Sequence, residues 1–304
     1  MSISADPNVR LSSRPDMNPR SIESIVLEAS AFLGSAGVPS PEVDAQLLVG
    51  HVLGLSRGGV QAKMLTGALA NVEDILLISD AVARRATREP LQHITGVAYF
   101  RSLELAVGPG VFVPRPETES VVQYAIDALA SSATPQPLGV DLGTGSGAIA
   151  LAMATEVPHS RVWGVEVSPN AFVWTKQNFR SSGATNATPV FIDLADALPE
   201  LDGTVDVVIS NPPYIPLGAI PRDPEVRMHD PEIALYGGVD GLDLVRNVST
   251  TANRLLHSGG TLVLEHGELQ AQEIADILRA DGWKAVASHR DLLGRDRATT
   301  ALRA

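Results

Sequence analysis

The sequence has no cysteine, few aromatic residues and no long apolar run. Without cysteine, its 304 residues can form no disulfide, no thiolate nucleophile and no zinc site of cysteine ligands. Its seven histidines show no metal-binding spacing such as H-E-x-x-H, so we predict no metal site. No stretch reaches the ~18 apolar residues of a membrane helix, and no signal peptide is evident. We therefore expect a cytoplasmic protein with no membrane contact.

The chain also lacks a cluster of cations. Its net charge is −12 at pH 7, and its Lys and Arg residues are scattered. Contacts with phosphate groups need clustered cations, so we expect no direct stable binding of nucleic acid. Because no coiled-coil heptads occur, a monomer is the expected state.

What is present is a globular composition, with 44% hydrophobic residues and enough length for two domains. Residues 1–18 are expected to be a disordered extension. Residues 19–90 show helical patterning, with Ser40 and Pro41 opening one helix and Asn71 another. They predict a small helical domain, for which a docking role is expected because it contains no catalytic constellation.

The pattern changes after Pro90. Residues 91–115 alternate apolar and polar positions and include a Gly-Pro-Gly turn, which predicts a β-hairpin linker. Residues 116–304 then alternate helix-like stretches with apolar runs of strand length. These runs cover residues 138–143, 161–168, 188–194, 205–210 and 261–267, with two later segments as an antiparallel edge. This alternation predicts an α/β domain with a mostly parallel sheet covered on both faces.

A strand, a glycine-rich turn and a helix follow one another in "VDLGTGSGAIALAMA". Gly143, Gly145 and Gly147 allow a sharp turn and close approach of a ligand, and the helix that follows presents free N–H groups. Glu166 ends the next strand, where it can accept hydrogen bonds from a ribose diol. A purely structural turn and a solvated carboxylate are the alternatives.

The glycine spacing favours S-adenosylmethionine over a dinucleotide. A dinucleotide site has the pattern G-x-G-x-x-G, whereas G-T-G-S-G occurs here, directly after Asp141 and Leu142. This compact turn suits an adenosine without a pyrophosphate, and Asp141 could meet the cationic methionine portion. We predict cofactor binding by the turn and its two carboxylates, which comprise Asp141, Gly143, Thr144, Gly145, Ser146, Gly147 and Glu166.

The segment "SNPPYIP" ends the strand at 205–210 and would face the same crevice as the glycine turn. Pro212 and Pro213 have fixed φ and disfavour helical backbone in the residues before them, so the segment is expected to be extended and rigid. The Asn211 side-chain oxygen and the Pro212 carbonyl are acceptors for an NH₂ group, and Tyr214 offers a face for stacking. A loop with no function is the alternative.

Such a pocket suits methyl transfer to an amide or amino nitrogen. If both hydrogens of the nitrogen are accepted, its lone pair is directed toward the incoming electrophile. No strong general base is demanded, because the nitrogen becomes acidic only as it gains the methyl group. We predict Asn211, Pro212 and Tyr214 as catalytic and the whole of Asn211–Tyr214 as substrate-binding.

The segments "GVAYFRSLELAVGPGVFVPRPETE", "DLGTGSGAIALA", "SNPPYIP", "ALYGGVDGLDLVRNV", "GGTLVLEHGELQ" and "GRDRATTALR" occur in one order. In these the chain resembles the protein N5-glutamine methyltransferases of the PrmC/HemK family, from about residue 20 to the end. The resemblance implies a helical domain that docks a peptide chain release factor, a hairpin linker and a Rossmann-like seven-stranded S-adenosylmethionine-dependent methyltransferase domain. The implied reaction methylates the glutamine of the Gly-Gly-Gln motif.

The resemblance also implies roles for single residues. Asn211 would touch both cofactor and substrate amide. The family often places an aromatic residue near the adenine, where this chain has Asp193 and Leu194, so Leu194 is the expected adenine contact. A further stretch that would line the cofactor site contains Phe112, Arg115, Pro116 and Glu119. A linker turn followed by a helix start is the alternative for these four residues.

Three other functions fit parts of the pattern. A DNA adenine N6-methyltransferase would use the same pocket on a flipped base, but it should carry a basic face. A glutamine methyltransferase acting on a ribosomal protein shares every motif. A regulatory module that binds a nucleotide without catalysis would leave "NPPY" without a function.

Overall fold

A computed structural model of the chain describes residues 18–304, so the predicted extension lies almost entirely outside the described residues. The chain divides after Thr95 into two compact units. In the described part, no helix combines the length and apolar character that a membrane crossing needs.

The first unit is helical, with one short antiparallel ribbon that the sequence patterns did not indicate. Its elements are β1 (Arg20–Ser21), α1 (Ile22–Ser35), α2 (Pro41–Leu53), α3 (Arg57–Leu65), β2 (Leu69–Ala70), α4 (Val72–Ala86) and α5 (Leu91–Thr95). Asn71 caps α4 by accepting a hydrogen bond from the Asp74 N–H, whereas Ser40 precedes α2 without a side-chain cap. A buried ion pair joins Asp44 of α2 to Arg85 of α4 at 2.8 Å.

The second unit contains the sheet. Its strands are β3 (Val97–Phe100), β4 (Leu103–Ala106), β5 (Leu138–Leu142), β6 (Arg161–Glu166), β7 (Ala187–Phe191), β8 (Val205–Ser210), β9 (Leu256–Glu265), β10 (Lys284–Arg290) and β11 (Asp296–Leu302). Its α-helices are α6 (Pro116–Ala130), α7 (Ala148–Glu156), α8 (Pro169–Ser181), α9 (Pro224–His229), α10 (Asp243–Leu255) and α11 (Ala271–Ala280). Short 3₁₀ turns span Leu194–Asp196, Pro199–Leu201 and Glu232–Ala234.

Seven strands form one sheet in the order β10-β11-β9-β8-β5-β6-β7. Strands β5 to β9 pair in parallel, and β11 runs antiparallel to both of its neighbours, which confirms the predicted fold class. From β5, the strands β6 and β7 extend the sheet toward one edge. The later strands, beginning with β8, extend it toward the other edge. The carboxyl ends of β5 and β8 therefore flank the switch point at which such sheets bind ligands.

Each face of the sheet has its own core. Val140, Leu142 and Leu264 belong to the core on the side of α10 and α11. Ile209 and Val263 belong to the opposite core, which contains side chains of α6 and α7. Because side chains alternate along a strand, these memberships fix the face on which each polar residue of the site lies.

The linker segment differs from its prediction in detail. It opens with the short helix α5, and the β3–β4 hairpin turns at Arg101 and Ser102 instead of at Gly-Pro-Gly. Arg101 adopts a left-handed φ of 52°, and its backbone N–H donates to Glu119 at 3.0 Å. Gly108 of the Gly-Pro-Gly sequence instead allows close packing of the backbone against Trp174, since a Cβ there would lie 2.4 Å from the Trp174 ring.

Candidate active site

Four polar side chains lie along the carboxyl edge of adjacent strands. Glu166 ends β6, Asp141 lies near the end of β5, Asn211 follows β8 and Glu265 ends β9. Val140, Leu142, Val165 and Leu264 all face the α10 side, so alternation places Asp141, Glu166 and Glu265 on the opposite face. The sheet thus brings together two predicted cofactor residues, the predicted substrate residue Asn211 and one carboxylate that was not predicted.

The glycine turn has the left-handed backbone that its sequence suggested. Gly143, Gly145 and Gly147 have φ values of 80°, 56° and 89°. A Cβ on Gly143 or Gly145 would meet no atom within 4 Å, whereas one on Gly147 would lie 2.8 Å from Phe179. Gly143 and Gly145 therefore border open space, and Gly147 allows close packing.

Two side chains of α8 hold this turn in place. The Thr175 hydroxyl donates to the Gly145 carbonyl at 2.6 Å, and the Asn178 amide donates to the Ser146 carbonyl at 2.8 Å. The Gly143 and Thr144 N–H groups also donate to the Val165 carbonyl, at 2.9 and 2.8 Å. The turn is thus fixed from the side of β6 and α8, and its open side is left for a ligand.

Asp141 is fully buried at the start of this turn. Its Oδ2 accepts hydrogen bonds from the Thr144 hydroxyl at 2.5 Å and the Ala150 N–H at 3.1 Å. Its Oδ1 is buried without a partner among residues 18–304. Burial raises the pKa of Asp141 to about 7, although the two hydrogen bonds act against the rise.

Glu166 is nearly buried and already uses both carboxylate oxygens. One oxygen accepts from the Gly145 N–H at 2.8 Å, and the other accepts from the N–H groups of Val167 and Ser168, at 3.0 and 2.7 Å. Each carboxylate oxygen has two lone pairs, so one acceptor position remains for a ribose hydroxyl, on the oxygen that accepts from Gly145. The orphaned Asp141 oxygen and the open space beside Gly143 and Gly145 fit the cationic end and the backbone approach of an S-adenosylmethionine molecule.

Leu194, the predicted adenine contact, begins a 3₁₀ turn after β7 and is half-buried against the core on the α10 side. Asp193 caps that turn through a 2.9 Å bond from the Ala195 N–H. The aromatic residue level with Glu166 in the sheet is Phe191, which is 53% exposed and lies 5.0 Å from the Phe172 ring. Leu194 stays a prediction, and Phe191 is a second apolar surface near Glu166.

The Asn-Pro-Pro-Tyr segment belongs to no helix or strand and has no residue with a positive φ, and the described chain contains no cis peptide bond. Ile215 forms a parallel bridge with Tyr236, and hydrogen bonds of 2.9 Å join the Ile215 N–H to the Leu235 carbonyl and the Gly237 N–H to the Ile215 carbonyl. Residues 235–237 therefore hold the chain at Ile215, directly after Tyr214.

Two glycines allow this close pairing. A Cβ on Gly237 would lie 2.4 Å from the Pro213 carbonyl oxygen, and one on Gly241 would lie 2.4 Å from the Tyr214 carbonyl oxygen. The Gln270 side chain adds a third support, because its amide donates to the Tyr214 carbonyl at 2.9 Å and its oxygen accepts from the Gly267 N–H at 3.0 Å.

The acceptors of the segment are available to a ligand. Within residues 18–304 the half-buried Asn211 side chain makes no hydrogen bond, and Pro212 is buried beside it. Burial raises the pKa of Tyr214, and the charge of Glu265 acts in the same direction. Tyr214 is thus a neutral ring at physiological pH, as stacking against a planar group requires.

The stretch before α6 has structural contacts of its own. Arg115 forms an ion pair with the buried Asp230 at 2.9 Å and lies 5.0 Å from the Phe112 ring centroid. Burial raises the pKa of Asp230 to about 6, although Arg115 acts against the rise. Glu119 binds the hairpin turn, and Pro116 begins α6. These contacts give the four residues positions next to the site without assigning them a ligand.

No group of three or more His, Asp or Glu side chains in the described chain is arranged to hold a metal ion.

Comparison with known proteins gives two family matches. A PrmC N-terminal domain model matches residues 24–96, and a methyltransferase small domain model matches residues 105–219. The release factor glutamine methyltransferase of Streptomyces coelicolor is 50% identical over 281 residues, covering 92% of this chain and 97% of that protein. The protein of the same description from Bifidobacterium longum is 45% identical over 286 residues, covering 91% and 97%.

A relative with another description is also similar. The 4-amino-L-phenylalanine/4-methylamino-L-phenylalanine methyltransferase of Streptomyces pristinaespiralis is 41% identical over 268 residues, covering 86% of this chain and 89% of that protein. By their names, the relatives of this chain include methyltransferases of release factor glutamine and of a free amino acid.

Proposed function

The chain belongs to the release factor glutamine methyltransferase family, and we propose that it methylates the Gly-Gly-Gln glutamine of a peptide chain release factor. The methyl group of S-adenosylmethionine is transferred to the side-chain amide nitrogen, N5. The observation that carries the proposal is the rigid Asn-Pro-Pro-Tyr segment, whose Asn211 amide has no partner among residues 18–304, beside the open glycine turn.

The residues of the chain perform three tasks in this proposal. S-adenosylmethionine, when bound, supplies a methyl group on a sulfonium centre. The glycine turn, Asp141 and Glu166 bind that cofactor, and Leu194 packs against its adenine. Asn211 and the Pro212 carbonyl accept the two hydrogens of the substrate amide, while Pro213 and Tyr214 enclose its planar face. This arrangement directs the nitrogen lone pair at the methyl carbon, so positioning supplies most of the rate.

The segment that holds the pocket is rigid before a ligand arrives. Prolines fix the backbone at two positions, and residues 235–241 and Gln270 bind the rest. A preformed pocket loses little conformational entropy on binding, so more of the interaction energy is left to position the amide.

The wider context of the reaction follows from its substrate. We propose that the protein works as a monomer in the cytoplasm, where release factors act. The helical unit of residues 18–95 is the proposed docking surface for the release factor, and direct stable binding of nucleic acid is not part of the proposal.

The aromatic amine named for the Streptomyces pristinaespiralis relative gives a second candidate substrate. An aniline-type NH₂ group is planar and has two hydrogens, so it meets the same requirement as an amide in the Asn-Pro-Pro-Tyr pocket. It lacks the carbonyl group that a glutamine side chain carries.

The test incubates the protein with labelled S-adenosylmethionine and, in separate reactions, a release factor, its Gly-Gly-Gln glutamine→Ala variant and free 4-amino-L-phenylalanine. We expect label on the release factor alone. Equal label on the two release factor proteins, or label on neither, would refute the proposal, and label on the free amino acid would favour the second candidate.

A further inference from the structure

Glu265 is a buried carboxylate at the active-site edge with no task in the function proposed above. It ends β9 and is 3% exposed. Its Oε2 atom is fully buried and makes no hydrogen bond of good geometry within residues 18–304. A buried acceptor without a partner is costly and rare in a folded protein, so its surroundings call for an explanation.

The sheet brings the chain positions of Glu265 and Asn211 next to each other. Ser210, the last residue of β8, is level with Leu264 of β9, and Asn211 and Glu265 are the residues that follow them. Ile209 and Val263 face the same core, so alternation directs Glu265 to that side, and Asn211 lies two residues after Ile209. Adjacent strands lie about 4.8 Å apart, which brings the carboxylate within reach of a group bound to Asn211.

Few partners in the protein satisfy this carboxylate. The Thr118 hydroxyl lies beside it, but Thr118 Oγ1 also lacks a hydrogen bond of good geometry. Arg297 attracts its negative charge and Glu117 repels it, yet neither forms an ion pair with Glu265 within 4.0 Å. Burial outweighs Thr118 and Arg297 and raises the pKa of Glu265 to about 7.

Several buried polar atoms of this unit lack a hydrogen bond. Among the described residues they belong to Thr118, Asp141, Asp230, Glu265 and Arg297, of which the Arg297 Nε lies 3.6 Å from an Asp291 oxygen. Asp141 is explained by the cofactor. The charge of Glu265 acts on Tyr214, so this carboxylate lies close to the Asn-Pro-Pro-Tyr segment. Glu265 thus offers an acceptor near the substrate side of the site that no donor of good geometry within residues 18–304 satisfies.

We propose that Glu265 shares with Asn211 one of the two hydrogens of the substrate nitrogen and takes the proton that this nitrogen loses. The inference rests on the proposed function. As the N–C bond forms and the S–C bond breaks, sulfur keeps the electron pair of the S–C bond and the nitrogen becomes positively charged. One N–H bond then breaks, its electron pair stays on nitrogen, and the proton forms the O–H bond of Glu265.

An ionised carboxylate suits this step for two reasons. Its negative charge stabilises the positive charge that develops on nitrogen, in a site where water does not screen it. An acceptor with a pKa near the working pH also gives up the proton readily after each turnover. Asn211 and the Pro212 carbonyl are neutral and can orient the nitrogen, but they cannot keep its proton.

The experiment compares wild type with Glu265→Gln, Glu265→Asp and the control Glu117→Gln in single-turnover transfer to a release factor. Glu117 is a nearby, more exposed carboxylate, so its variant removes the same charge without the proposed acceptor. We expect Glu265→Gln to lose on the order of 10²-fold in rate. Glu265→Asp should recover part of the loss, and Glu117→Gln should remain near wild type.

The pH dependence gives a signature that a structural role would not produce. The wild-type rate should rise with pH through about 7, as the acceptor ionises. In Glu265→Gln, the part of the rate increase that comes from ionisation of Glu265 should be absent. Asp141 is present in both proteins, so its ionisation affects both rates equally. Binding of a Gly-Gly-Gln peptide to cofactor-free protein is the second readout: its affinity should increase with pH in wild type and vary less in Glu265→Gln.

The outcomes of this experiment distinguish failure of the inference from failure of the proposed function. A wild-type rate or an unchanged pH profile in Glu265→Gln would overturn the inference, and so would an equal loss in Glu117→Gln. If wild type transfers no methyl group to any release factor, the proposed function fails and this inference fails with it. An active wild type with an equally active Glu265→Gln overturns the inference alone.

Discussion

Replacing Asp141 with Asn should make the second unit less sensitive to pH. The folded protein raises the pKa of Asp141 from 3.8 to about 7 because the carboxyl is fully buried. The folded state therefore holds this proton more tightly than the unfolded state, and stability must fall as pH rises between about 4 and 7. Above pH 7 the full cost of ionising the buried group is present.

The magnitude follows from the two pKa values. The shift of about 3 units corresponds to roughly 4 kcal/mol at 1.36 kcal/mol per unit. Between pH 5 and pH 8 the cost grows by about 3 kcal/mol, because the first part is already present at pH 5. Asp141→Asn has no carboxyl to ionise at this position. Its free energy of unfolding, relative to that of wild type, should therefore rise by about 3 kcal/mol from pH 5 to pH 8.

Urea unfolding followed by tryptophan fluorescence measures the free energy of unfolding of the second structural unit. All three tryptophans, Trp163, Trp174 and Trp283, lie in the second unit, so the signal reports on it alone. Asp230 and Glu265 also have raised pKa values, but they are present in both proteins. An equal pH dependence in wild type and Asp141→Asn would show that the carboxyl is not held protonated by burial.

Three further changes test the cofactor turn and the pocket. Asn211→Ala should reduce methyl transfer on the order of 10²-fold while most cofactor binding is kept, as measured by calorimetric titration, and unchanged transfer would exclude the assigned role. Gly145→Ala should lose about 1 kcal/mol of stability through its positive φ and bind cofactor more weakly, whereas wild-type affinity would show that no ligand approaches there. Gln270→Ala should slow transfer several-fold by releasing the Tyr214 carbonyl, and the exposed control Gln272→Ala should not.

The strands of the sheet could be predicted because parallel strands buried on both faces are continuous apolar runs. Their ends were less accurate, and each error has a physical cause. The predicted strand at 161–168 ends at Glu166, since its carboxylate binds the N–H groups of Val167 and Ser168. Strand β9 begins at Leu256, directly after α10, because Leu256 already pairs with Val205 of β8, and an irregular stretch in which Gly259 has a φ of 84° joins it to the apolar run.

The parts of the candidate site whose geometry depends on a single short segment could be predicted from the sequence. The glycine turn and the two prolines determine their own backbone, so their local geometry followed from the sequence. The position of Glu265 beside Asn211 could not be predicted, because it depends on the order of β8 and β9 and on their register. The support of Tyr214 by Gln270 depends on the same long-range packing.

The pairing of the Asn-Pro-Pro-Tyr segment with residues 235–241 has a consequence for exchange with solvent. Residues 215 and 237 belong to connecting loops, yet their amide hydrogens are engaged in bonds of 2.9 Å and should exchange with deuterium as slowly as those of a strand. Directed evolution toward new substrates meets a limit there as well. Gly237 and Gly241 have no room for a methyl group, so libraries that vary both positions should yield few folded proteins.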